Sequence, residues 1–327
     1  MLRLFRVVIA SVAMMMCVFG MTSPASAQIP VWLQSIYGAP LIVMGGTDDP
    51  QAETQLARVG SWTLSDKLRP LPYPASFGPL VGSLSYDDSV AGGVHALQQT
   101  LLHTEMPVVV ASFSQGGRVI GDVANVMDTP ENAAKVKFVA LSDPRMPGSG
   151  IEAELFGTEV LGATARGSRP ATQHVEYTSV CIVGDPVCAG IGHPANVIPG
   201  FVCIHGDKCP GNMYHYNNLE NLEVVARWQD DATEYIVLAA PHPWEIVASA
   251  AGLQLSATQR QALHAALPVG VPDMPVPAGE ADMSTIAEPV AAPVTAPPPV
   301  LPPLLLELPP LPTVEQLLPQ AGVATPL

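Results

Sequence analysis

The sequence predicts an α/β domain built on a parallel sheet, and three observations lead there. Short apolar runs alternate with amphipathic segments, and each run ends in Gly, Ser or Asp, the pattern of strands feeding helices. One run, Val108-Val109-Val110-Ala111, passes at once through Ser112-Phe113-Ser114-Gln115-Gly116-Gly117 into a helix-like stretch from Arg118 to Met127. Residues 28 to 267 keep this mixed composition throughout, long enough to bury a full core as one domain.

The chain opens with Arg3 and Arg6, an apolar run from Val7 to Gly20, and Ala25-Ser26-Ala27. A charged start, a short apolar run and a small-residue site make a secretory signal peptide over residues 1–27, cleaved after Ala27. The run is too short to span a bilayer and ends in Thr22, Ser23 and Pro24. Cys17 leaves with it, and no later stretch reaches a bilayer's thickness free of Gly, Pro or charge. Removing Arg3 and Arg6 takes the formal net charge from −15 to −17, two positive charges fewer. No basic cluster remains to hold phosphates, which argues against nucleic acid as a partner.

Within the domain the first strand is Leu41 to Met44, ending in Gly45-Gly46-Thr47-Asp48. A shorter strand region and its loop run from Trp62 to Pro74. Asp87-Asp88-Ser89 caps a helix whose apolar positions Val90, Val94, Leu97 and Leu101 recur at three and four. The Val108–Ala111 strand follows, then strands at Lys137–Leu141 and Val175–Val180. Asn218–Trp228 and Asp230–Leu238 are expected to close the domain as helices. From Pro268 to Leu327 the composition changes, with sixteen of the 35 prolines in that last stretch. Such a segment builds neither ladder nor helix and is expected to be disordered or polyproline-like, with a possible cell-envelope contact.

Strand, tight turn and helix with Ser114 at the turn match the nucleophile elbow of α/β-hydrolases, written G-x-S-x-G, with a Gly-rich βα turn of another α/β protein as the alternative. Gly116 supplies the trailing glycine, and Ser112 takes the leading place. An acid and a histidine must follow in chain order to orient and accept the serine proton. Four cysteines remain after export, Cys181, Cys188, Cys203 and Cys209, and an even number in an exported chain reads as two disulfides. The metal alternative, Cys203, His205 and Cys209, lacks a second histidine at ligand spacing. Asp185, inside Cys181-x6-Cys188, is held by a short closed loop and ranks above Asp143 as the acid. His215, between the second cysteine pair and a helix start, ranks above His205 and His193 as the base.

With these pieces together the chain resembles the PE-PPE domain family, which is similar to cutinases within the α/β-hydrolase fold. The resemblance rests on Gly45-Gly46-Thr47, on Tyr73-Pro74 with Asp88-Ser89-Val90 and Gly93, and on Ser112 to Gly117. Gly184-Asp185-Pro186 and His215-Tyr216 complete it, over roughly residues 40–240. It implies Ser114 as nucleophile, Asp185 as orienting acid and His215 as base. The oxyanion hole would be the backbone N–H of Gln115 and the Thr47 region. The implied activity is hydrolysis of short-to-medium acyl or lipid esters through an acyl-enzyme, by a secreted or envelope-associated monomer. No metal or organic cofactor is required. An acyltransferase with the same triad, and a non-catalytic envelope scaffold on a degenerate hydrolase fold, are the alternatives.

Overall fold

A computed structural model describes residues 30–105 and 107–272. The proposed signal peptide and residues 273–327 of the Pro-rich tail lie outside the described residues.

Among the described residues the α-helices of four residues or more are, in chain order, α1 (Val31–Gln34), α2 (Glu53–Val59), α3 (Tyr86–Leu102), α4 (Gln115–Met127), α5 (Ile151–Glu154), α6 (Pro243–Ala250) and α7 (Ala257–Ala266). A π-helical turn, Gly200–His205, carries His205. The strands are β1 (Leu41–Met44), β2 (Leu68–Pro70), β3 (Val108–Phe113), β4 (Val136–Leu141), β5 (Glu159–Val160), β6 (Ala163–Thr164), β7 (Tyr177–Ile182), β8 (Val224–Asp230) and β9 (Thr233–Leu238). Seven of them form one sheet in the order β2-β1-β3-β4-β7-β9-β8. All neighbours pair in parallel except β8 and β9. This is an α/β architecture, a mostly parallel sheet between helices, as the sequence predicts.

The short apolar runs are strands because both faces of the sheet are covered, so neither face needs polar residues. β3 is buried along its whole length. Its alternate residues Val109, Ala111 and Phe113 pack on one side, with Trp32, Trp62 and Tyr216. Val108 and Val110 pack on the other, with Val90, Leu97, Val119, Ile120 and Val123 from α3 and α4. α3 begins two residues earlier than its acidic cluster implied. Ser85 is the cap, accepting from Asp88 N at 3.1 Å. Helices α3 and α4 approach closely at Gly93, where a Cβ would sit 2.8 Å from both Tyr73 Cδ2 and Val119 Cγ2.

The segments expected as closing helices are instead largely the antiparallel hairpin β8–β9. Thr233, Tyr235, Ile236 and Val237 are β-branched or aromatic, and their strand lies beside β7 in the sheet interior, where such residues pack best. Asp231 takes a positive φ of 48° at the turn. The closing helices are α6 and α7 further on, after which Pro268 O accepts from His193 N at 3.0 Å and ties the chain back to the domain. Among the described residues no helix is long and apolar enough to cross a membrane.

Candidate active site

The register of the parallel strands brings the carboxyl ends of β1, β3 and β7 to one rim. Met44 pairs with Ser112, and Phe113 with Leu141. The loops leaving these ends carry Gly46-Thr47, Ser114 and Asp185, at the sheet edge where open α/β sheets place their sites.

Ser114 lies between β3 and α4 with φ 54° and ψ −119°, a strained conformation for a residue with a Cβ. Two close approaches fix the turn. A Cβ on Gly116 would collide with the Gly45 carbonyl oxygen. A Cβ on Gly46 would lie 2.9 Å from Phe113 Cδ1 and 3.2 Å from Ser114 Cβ. The leading position is less demanding: Ser112 is fully buried there, and its Oγ has no partner among the described residues.

The histidine at Ser114 is His205, not His215. His205 Nε2 is 3.1 Å from Ser114 Oγ, and His205 Nδ1 is 3.1 Å from Asp185 Oδ1 and 3.2 Å from Oδ2. Ser142 Oγ is also 3.1 Å from Nδ1. With Asp185 ionised, the carboxylate favours the proton on Nδ1 and leaves Nε2 to accept from the serine hydroxyl. Phe113 and Phe201 hold the ring, at centroid distances of 4.5 and 5.2 Å.

Asp185 is fully buried and fully used. Its Oδ1 accepts from Val187 N at 2.9 Å, and its Oδ2 from Tyr216 Oη at 2.6 Å. Burial pushes this carboxyl up, but the adjacent His205 and the hydrogen bonds from His205, Ser142 and Tyr216 outweigh it. The group is held below the ordinary carboxylate range. Burial, and then the Asp185 charge, push the Tyr216 phenol well above its usual value, so it stays a donor.

Two disulfides, Cys181–Cys188 and Cys203–Cys209, close the loops that carry Asp185 and His205. They are compatible with an extracellular protein. His215 lies beyond the second bridge. Its Nε2 is 3.3 Å from Asp207 Oδ1, and its Nδ1 accepts from Asn217 N. The chain returns towards the site one residue later, through Tyr216. His193 caps a short turn by accepting from Ala195 N. Asp143 accepts from Tyr177 Oη at 3.0 Å and lies 3.5 Å from Arg169 Nε, a buried structural pair. The signal that pointed to Asp185, a cysteine bracket, applied equally to His205.

Gln115 is the first residue of α4, so its N–H has no acceptor within the helix. Its side chain is pinned, donating to Ser76 O at 2.8 Å and accepting from Ser89 Oγ at 3.2 Å. Thr47 lines the same cavity as Ser114, a cleft of about 590 Å³. Phe77, Leu155, Val160, Val187 and Phe201 give it apolar wall, while Thr47, Thr54, the cations Arg58 and Lys208 and the carboxylates Asp48, Asp49 and Glu152 give it polar wall. Among the described residues no group of three His, Cys, Asp or Glu could hold a metal.

A model of the PE-PPE domain matches residues 66–241. No curated protein matches the sequence. Among solved structures, the ydeN gene product from B. subtilis aligns at 11% identity over 43% of this chain and 70% of that one. Its TM-score is 0.27, too low to inform the site.

Proposed function

This chain belongs to the PE-PPE domain family, and from that premise we propose that it is a secreted serine esterase acting on short-to-medium acyl esters. One observation carries the proposal: Ser114 Oγ, the His205 ring and the Asp185 carboxylate are joined by contacts of 3.1 Å and 3.1 Å. That is hydrogen-bond reach for a nucleophile, its base and the group orienting the base.

In the proposed reaction Ser114 Oγ attacks the ester carbonyl while its proton passes to His205 Nε2. Asp185, kept ionised by its donors, stabilises the imidazolium. The oxyanion is met by the Gln115 N–H and the Thr47 region, donors fixed before the reaction begins. His205 then returns the proton to the leaving alcohol. Water, activated by the same imidazole, releases the acyl group from Ser114. The apolar wall takes the acyl chain and the polar wall the alcohol. An alcohol held there in place of water would make the same acyl-enzyme an acyltransferase. The non-catalytic alternative rests on Ser112 in the leading position and on the Pro-rich tail, and the contacts joining Ser114, His205 and Asp185 favour the catalytic reading over it.

Residues 1–27 are proposed as the export segment, 28–267 as the hydrolase unit and the Pro-rich remainder as an envelope contact. A fluorophosphonate probe tests the central claim. Wild-type protein should label, and Ser114→Ala and His205→Ala should not. Equal labelling of wild type and Ser114→Ala, or none of either, would favour the scaffold.

A further inference from the structure

Arg58 is a buried cation with no ion-pair partner among the described residues. It stands near the end of α2, 8% exposed, with its guanidinium carbon 3.8 Å from the Phe113 ring centre. Its acceptors are neutral amide oxygens, Asn217 Oδ1 at 3.1 Å and Gln55 Oε1 at 3.5 Å. The other buried arginines among the described residues, Arg118 and Arg169, both have carboxylate partners.

The three carboxylates whose charge reaches Arg58, those of Asp49, Asp207 and Asp185, each take other donors. Asp49 accepts from Thr54 N and Gln55 N at 3.3 and 3.1 Å. Asp207 accepts from Asn217 Nδ2 at 2.6 Å and contacts His215. Asp185 is used by His205, Val187 and Tyr216. Burial pushes the Arg58 guanidinium down to about 10, so it is still a cation at neutral pH. A desolvated charge paired only with dipoles and one ring is costly, which asks for a reason.

Its position supplies one. Arg58 lines the cavity that holds Ser114 and His205, and so does Lys208, an exposed cation that pairs with no carboxylate among the described residues. The guanidinium has five N–H donors in a planar fork matched to oxyanions, and neutral acceptors occupy only part of it. Asp48, Asp49 and Glu152 line the same cleft, but Asp49 takes backbone donors and Glu152 pairs with Arg118, which leaves Arg58 and Lys208 as lining cations with no ion pair among the described residues.

We infer that Arg58, with Lys208 outside it, binds an anionic group on the alcohol side of the substrate, a carboxylate, sulfate or phosphate near the scissile ester. The word substrate rests on the esterase reading, but the binding does not. Calorimetric titration of the full chain with n-octyl phosphate, n-octyl sulfate and octanoate, against neutral 1-octanol, tests it without hydrolysis. At least one anion should bind tenfold or more tightly than 1-octanol, and the tightest identifies the group. Arg58→Gln should erase that ratio, Arg58→Lys restore part of it, and Lys208→Ala lower it about threefold. Anions and 1-octanol binding alike, or a ratio surviving in Arg58→Gln, overturns the inference. Should Arg58→Gln not fold, an unchanged ratio in Lys208→Ala overturns it. Absence of esterase activity would sink the proposed function and leave this comparison readable.

Discussion

Replacing one histidine at a time separates the proposed base from its neighbour. His205→Ala removes the only imidazole in contact with Ser114 Oγ among the described residues, and with it the partner of Asp185. The serine then has no acceptor for its proton, and the buried carboxylate loses its compensating group. General-base loss is worth up to about 10⁴ in rate. That corresponds to roughly 5 kcal/mol of transition-state stabilisation. His215→Ala removes a partly exposed contact to Asp207, a kind of pair worth about 0–1 kcal/mol. Its kcat/KM should stay within about threefold of wild type, the size of such a surface effect. The assay is hydrolysis of a p-nitrophenyl acyl ester at several concentrations, with circular dichroism to verify folding. If His205→Ala keeps a tenth of wild-type activity while folded, or if His215→Ala is the dead variant, the proton line drawn here is wrong.

Four further outcomes follow from neighbouring contacts. Tyr216→Phe deletes the 2.6 Å donor to Asp185 Oδ2. It should lower stability by about 1–3 kcal/mol, read as a denaturant midpoint, and reduce kcat. Gly116→Ala places a Cβ against the Gly45 carbonyl, so probe labelling of Ser114 should fall sharply even where the protein remains folded. Reducing the bridges, with thiols counted by mass spectrometry, frees the loops of Asp185 and His205 together. About 2 kcal/mol of stability per short loop should go with them. Acid should destabilise the fold: Asp185 and His242 both titrate lower here than in the unfolded chain, His242 because burial pushes it down. The unfolded state then binds more protons, so this stability is present above the unfolded values of about 3.9 and 6.5 and is lost as pH falls through the folded ones. Melting temperature against pH measures it, and Asp185→Asn should flatten the fall below about pH 4.

Local chemistry made much of this protein legible in its sequence. The Val108–Gly117 stretch carries both halves of the elbow, because strand propensity, turn and glycine clearance act within ten residues. Likewise the cysteine bracket around Asp185 is a short-range feature. Val90, Leu97 and Leu101 face the core because helical periodicity is written residue by residue.

What the sequence left open was any choice that depended on a partner far along the chain. Asn218 to Leu238 reads as helix until β7 and the sheet are there to pair with it. Arg58 carries no local signal of its place in the cleft, because the residues that close over it, Phe113 and Asn217, are distant along the chain. His205 and His215 both follow Ser114 and Asp185 in the right order. Chain order cannot rank them, because an imidazole's role depends on distances of about 3 Å between groups tens of residues apart. The packing of the 200–216 segment against β3 and β7 decided that the ring in reach is His205, with Tyr216 behind it at the carboxylate.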